Sequence, residues 1–173
     1  FAGENGNAQL IESIELQGNL HSVYESAQNF MLRYVDLVKS QPRKRVAEDT
    51  LHVRPRGVYS IYAVREAIAN ALVHRDLALR DIPTRINIYD NAVEFINARR
   101  TSGFVPPASR AIRYGITQRV NPQIAAVFGR REYGASIPRG GLPMVLKQAA
   151  LFSGRKAEVF TANDEFRLKI YSL

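Results

Sequence analysis

The order of predicted elements, β-α-β-α-β-β-α-α-β-β, makes this chain an α+β protein: a two-layer sandwich with helices on one face of a mixed, mostly antiparallel sheet. Three observations carry that expectation. Apolar residues recur at three- and four-residue spacing through 19–40 and 61–76, as in helices that cover a sheet. Short runs rich in β-branched residues meet at Asp90-Asn91 and again at Asn163-Asp164, as in hairpins. No internal repeat or low-complexity tract interrupts the chain.

The elements follow in order. "AQLIESIELQG" (8–18), rich in Ile and Leu and closed by Gly18, reads as a strand. The period then changes. Leu20, Val23, Tyr24, Ala27, Phe30, Met31, Tyr34, Leu37 and Val38 form one apolar stripe, so 19–40 reads as a single core-facing helix capped by Asn19. Residues 41–57 are polar, with Pro and Gly near the ends, and predict a loop plus a short strand within 46–54. Ser60 can cap a helix over 61–76. "TRINIYD" (84–90) and "AVEFINA" (92–98) predict a hairpin, and the Gly, Pro and Ser content of 99–119 predicts a long loop. "NPQIAAVFG" (121–129) has the marks of a short helix: Asn121 as cap, Pro122 at the first position and Gly129 at the end. A Gly-rich loop opens 131–154, and a helix follows that stops at Gly154. Strands at 156–162 and 165–173 close the chain.

Composition bounds the function. The chain has 173 residues, of which 46% are hydrophobic and 23% charged, which fits one globular domain over 1–173 with a substantial core. No apolar run approaches the roughly 18 residues of a membrane span. Cys is absent and the three His are scattered, which excludes disulfides and thiolate metal sites and suits a cytoplasmic protein. Net charge is +8, with basic clusters at 43–45, 99–100 and 130–131. Such an excess favours an anionic partner (nucleic acid, nucleotide phosphates or an acidic protein), the plain alternative being a domain that is merely basic. The sequence opens on Phe1 without an initiator Met or a signal-peptide pattern, and is expected to be a fragment of a longer protein.

Chemistry concentrates in "REAIANALVHRD" (65–76). At about 100° per residue, Ile61, Val64, Ile68, Ala71 and Leu72 fall on one side of the helix, and Glu66 and Asn70 almost opposite, with His74 at the margin. That second face can be solvated. Asn is nevertheless a poor choice inside a helix, and the Ala-rich surroundings leave room for a ligand. A Glu and an Asn at i and i+4 set a carboxylate beside an amide oxygen. The pair suits Mg²⁺ shared with phosphates, and the Glu can orient a water toward a γ-phosphate.

This stretch resembles the N-box of Bergerat-fold (GHKL-type) ATP-binding domains. It is most similar to the RecG-like ATP-binding domain that ends many bacterial transcriptional regulators, after a DNA-binding domain of AlbA/Schlafen type. The family order of strand and long helix, "lREAlvNAlvHRDY"-like helix, hairpin, "RNP.ia"-like helix start, Gly-rich turn and closing hairpin is matched by 8–40, "VREAIANALVHRD", "TRINIYDNAVEFINARR", "RVNPQIA", "RGGLPMV" and "AEVFTANDEFRLKIY". The resemblance implies a Bergerat-like sandwich that binds ATP and Mg²⁺. It implies Glu66 as the catalytic or water-positioning carboxylate and Asn70 as the Mg²⁺ ligand through the nucleotide phosphates. His74 takes a place beside them, Asn97 the position that meets adenine, and Gly103, Gly140 and Gly141 the backbone contacts. DNA is expected as a partner through an upstream domain, and a homodimer is a further expectation.

The chain also departs from that pattern. "ARRTSG" follows Asn97 where the family has "PGG", the D-x-G-x-G turn is absent, and the G-x-G-x-G lid is reduced to "RGG". These departures weaken the case for hydrolysis more than the case for the fold. A degenerate module, used for dimerisation or DNA contact without ATP, is the alternative, and a weak Mg-dependent ATPase a second. No G-x-x-x-x-G-K-[ST] sequence occurs, so a helicase motor is excluded.

Overall fold

A computed structural model of the chain describes residues 11–41, 56–98, 121–133, 141–162 and 164–173. Its elements run α1 (Leu20–Met31), β1 (Val35–Val38), β2 (Gly57–Ser60), α2 (Ile61–Val73), β3 (Arg85–Ile88), β4 (Ala92–Ala98), α3 (Pro122–Phe128), α4 (Gly141–Ser153), β5 (Glu158–Ala162) and β6 (Glu165–Tyr171). The four-stranded sheet has the order β3-β4-β6-β5 and is antiparallel throughout. A separate parallel pair joins β1 to β2. The α+β architecture, mixed in strand direction and mostly antiparallel, is as the sequence predicts.

Both hairpins form where expected. Ile88 pairs with Val93 and the Tyr89 amide donates to the Ala92 carbonyl at 2.8 Å, which leaves Asp90-Asn91 as the turn. Ala162 pairs with Glu165 across the second turn, where Asp164 adopts a positive φ of 58°. The closing Gly154 has φ 72°, the left-handed conformation that ends helices, and its amide bonds the Ala150 carbonyl at 3.0 Å.

The N-terminal third differs from expectation. Residues 11–17 of the strand expected over 8–18 belong to no strand, and 8–10 lie outside the described residues. The helix expected over 19–40 stops at Met31, and Val35–Val38 is a strand instead. Tertiary contacts impose that stop. Arg56 reaches across to the turn and strand that follow α1, bonding the carbonyls of Leu32 at 2.6 Å, Arg33 at 2.9 Å and Val35 at 3.1 Å, while its Nε holds Asp36 at 3.0 Å. The predicted cap at Asn19 is present and accepts from the Ser22 amide at 3.0 Å. The strand expected within 46–54 and the loop over 99–119 lie outside the described residues.

Helix α2 occupies the centre of the packing. Of its residues Ala63, Val64, Glu66, Ala67, Ile68, Ala69, Ala71, Leu72 and Val73 are buried. Helix α4 packs along one side, α1 and α3 along others, and β4 beneath. The alanines therefore serve close approach by neighbouring elements, and the room they leave is taken up by protein. Tyr24, Phe128 and Tyr133 form a triangle of rings, with centroids 5.3, 5.5 and 4.8 Å apart, that ties α3 and the short turn Arg131–Tyr133 to α1. Beyond β6, the Leu173 amide donates to the Val58 carbonyl at 3.0 Å, which binds the end of the large sheet to β2. No helix among the described residues is long and apolar enough to cross a membrane.

Candidate functional site

Glu66 is wholly buried, at 0% exposure, so the face it shares with Asn70 is an interior one. Among the described residues only Ser60, Glu66 and Asn97 are buried polar side chains. Burying a carboxylate costs several kcal/mol unless polar partners replace its water. One such partner is Asn70, half-buried one turn along, whose Nδ2 donates to Oε1 of Glu66 at 3.3 Å and to its main-chain carbonyl at 2.8 Å. That geometry leaves Oδ1 of Asn70 as an acceptor beside the oxygens of the Glu66 carboxylate. Burial is also the main reason that the Tyr24 hydroxyl is pushed up to about 12, with Arg65 opposing and the nearby charge of Glu66 adding to the rise.

The other wall is the start of α4. Gly141 is its first residue, and its backbone lies so near the pair that an added Cβ would fall 2.0 Å from Oε1 of Glu66 and 2.3 Å from Nδ2 of Asn70. Glycine is required here for space, since Gly141 lacks the positive φ that Gly154 adopts. The carboxylate and the amide thus face the N-terminal end of a 13-residue helix, where the backbone dipole favours negative charge.

Asn97, at the end of β4, lies on the sheet face that meets α2. Its Nδ2 donates to the Ala71 carbonyl at 2.8 Å, and its buried Oδ1 has no hydrogen-bond partner among the described residues. His74 is the C-cap of α2; burial pushes its imidazole below the usual histidine range, so it is neutral at pH 7. Asn70, Asn97 and His74 therefore gather along the C-terminal half of the helix that carries Glu66. Gly103 and Gly140 lie outside the described residues.

Sequence reasoning missed a further residue of this region. Asn121 stands at the N-cap position of α3, but its side chain makes no cap bond. It donates instead to the carbonyls of Val73 at 2.9 Å and Arg75 at 2.8 Å, closing the end of α2. Ser60 likewise occupies the N-cap position of α2 without a side-chain cap bond. No short-range signal distinguishes these uses from ordinary caps. Arg75 follows the same turn, and its Nε is buried without a hydrogen bond among the described residues.

The donor types suit Mg²⁺ shared with phosphates, while the Glu66 carboxylate is at 0% exposure with the Gly141 backbone packed against it. No group of three or more His, Asp and Glu side chains gathers among the described residues. A cation here would rest on one carboxylate, an amide oxygen and the phosphates of its own ligand, which is how Mg²⁺ is commonly held. No protein-family model matches the chain, and no curated protein or solved structure is significantly similar to it.

Proposed function

We propose that this chain is a nucleotide-binding regulatory domain of a bacterial transcriptional regulator, with ATP and Mg²⁺ as its ligands. The observation that carries the reading is the convergence of buried Glu66, Asn70 and the start of α4 at Gly141. Asn70 Oδ1 would contribute to the cation and the amides that open α4 to phosphate, while Asn97 Oδ1 offers an acceptor to the base. Bound Mg²⁺ would neutralise phosphate charge. Glu66 is suited to order Asn70, and the reduced glycine turns favour binding over hydrolysis. The resemblance of "REAIANALVHRD" to the N-box supports the Bergerat-type assignment, and the +8 charge fits a protein that works on DNA.

Calorimetry with Mg-ATP tests the proposal. The wild type is expected to bind one equivalent, and Asn70→Ala to weaken that binding at least tenfold without loss of fold. Absence of heat in the wild type would refute it. Phosphate release, if it occurs, must disappear in Glu66→Gln.

One observation favours a second reading. Asn70 already bonds Glu66, and Gly141 closes over both. A chain that has lost the nucleotide would keep this arrangement as a polar seam between α2 and α4, serving a dimerisation or DNA-contact module. DNA affinity that falls steeply with salt and ignores ATP is its signature.

A further inference from the structure

The large sheet has a second face, which no helix covers among the described residues. Strand register sorts its side chains. Val93, Phe95, Leu168 and Ile170 belong to the core with the helices, so their neighbours in sequence point the other way. On that outer face Arg85, Ile96, Arg167 and Phe160 fall in one row across all four strands; Ile96 is covered, at 3% exposure, and Arg85, Arg167 and Phe160 are the exposed members. Farther along, Asn87, Glu94, Lys169 and Glu158 form the next row, and Tyr89 and Tyr171 flank Ala92.

The rings and cations are interleaved. Lys169 Nζ lies 5.9 Å from the centre of the Tyr89 ring and 5.4 Å from that of Tyr171, and the Arg155 guanidinium lies 3.8 Å above Tyr171. Each tyrosine is tied down by its hydroxyl. Tyr171 donates to Glu158 on the neighbouring strand at 2.6 Å, and Tyr89 to Glu94 at 3.3 Å. Phe160, on the outer face of β5, is 48% exposed.

Charge on this face is arranged for an anion. Glu165 sits between Arg85, at 2.5 Å, and Arg167, at 2.6 Å, and holds both guanidinium groups in place. One carboxylate cannot use all of their N–H groups. Arg85 spends a single N–H on it and Arg167 two, which leaves most of their donors without a partner among the described residues. The pair keeps a net positive charge beside exposed Phe160.

We infer that this open sheet face binds single-stranded nucleic acid, with bases stacked on Phe160, Tyr89 and the Arg155–Tyr171 pair, and phosphates held by Arg85 and Arg167. Aromatic rings offer a π-face that every base can use, and guanidinium planes stack in the same way. A duplex hides its base faces and gains little from such a platform. The surface is independent of the Glu66–Asn70 site, which lies on the far side of the sheet among the helices.

The test is fluorescence anisotropy with fluorescein-labelled 12-nucleotide oligo(dT) and oligo(U), and with a 12-base-pair duplex, at 50 and 200 mM salt. Both single strands are expected to bind, with affinity falling about tenfold between the two salt concentrations, as release of a few counterions requires. Phe160→Ala should weaken binding roughly 5- to 100-fold, the range for loss of one stacking partner, and Arg85→Ala should weaken it and flatten the salt dependence, both with unchanged circular dichroism. A preference for oligo(U) over oligo(dT), or the reverse, identifies which polymer is read. The inference is overturned if neither strand binds at 50 mM salt, or if the duplex binds as well and Phe160→Ala is silent. It is also overturned if Phe160→Ala converts a dimer to a monomer in sedimentation, because a second copy of the chain would then be the occupant.

Discussion

Glu66 and Glu165 are carboxylates in opposite circumstances. Glu66 is at 0% exposure between α2 and α4, where a bare glycine is the only residue that fits beside it. Glu165 lies on the outer face of the sheet with its side chain 21% exposed, shared between two arginines whose own side chains are 49% and 44% exposed. Water can replace any partner of the second and none of the first. A buried polar group thus dictates the identity of its neighbours, whereas an exposed one leaves them free to change.

The contrast is most directly broken at Gly141. Gly141→Ala forces a methyl group against Glu66 and Asn70, and should cost about 1–3 kcal/mol, the usual range for overpacking. In a chain of this size that corresponds to roughly 2–4 °C of melting temperature per kcal/mol, read by thermal denaturation. An unchanged melting curve would mean that the α2–α4 seam is looser than the geometry describes.

His74 supplies a smaller effect, and a pH-dependent one. Burial holds its folded-state pKa below the ordinary 6.5, so the unfolded chain takes up the proton first. The sign follows: with more protons bound in the unfolded state, stability falls as pH drops below about 6.5 toward the folded value, and above 6.5 the contribution is nil. Melting curves from pH 7.5 to 5 should show this loss in the wild type and less of it in His74→Gln. An identical pH profile in the variant would place the loss elsewhere.

The smallest effect is expected on the sheet face. Glu165→Ala removes the carboxylate between Arg85 and Arg167, yet exposed ion pairs contribute at most about 1 kcal/mol and often nothing measurable. Its melting temperature should stay within a degree or two of the wild type. A loss as large as that of Gly141→Ala would erase the distinction between the two regions.

Much of the fold was legible where local chemistry and tertiary need agree. The hairpins at Asp90-Asn91 and Asn163-Asp164, the Pro122 start of α3 and the Gly154 stop of α4 each follow from residues that favour those conformations on their own. The boundary between α1 and β1 was not legible. Tyr34, Leu37 and Val38 continue the helical spacing, and the stop depends on Arg56, a residue 25 positions beyond Met31. The four-residue β2 is too short to announce itself. Its strand is fixed by pairing with β1 and by the Leu173 amide.

The candidate site divides in the same way. Glu66 and Asn70 stood out because an Asn and a carboxylate on an Ala-rich helix have no packing reason to be there, and the structure places both against Gly141. The shared helix face was readable from a wheel. The burial of Glu66 was not, because a wheel does not reveal that α1, α3 and α4 surround the helix. The roles of Asn97 and Asn121, which grip carbonyls of α2 from distant elements, depend on contacts 26 and 48 residues away in the chain and leave no local trace.

Whether the buried pair is a ligand site or a structural seam is decided most directly by thermal denaturation of the wild type and of Asn70→Ala, each with and without 1 mM Mg-ATP. A ligand present at about a hundred times its dissociation constant stabilises the native state by roughly 2.7 kcal/mol, so the wild-type midpoint should rise by several degrees while that of Asn70→Ala stays where it was. Superimposable wild-type curves with and without Mg-ATP would contradict the account and leave Glu66, Asn70 and Gly141 as a polar joint between two helices.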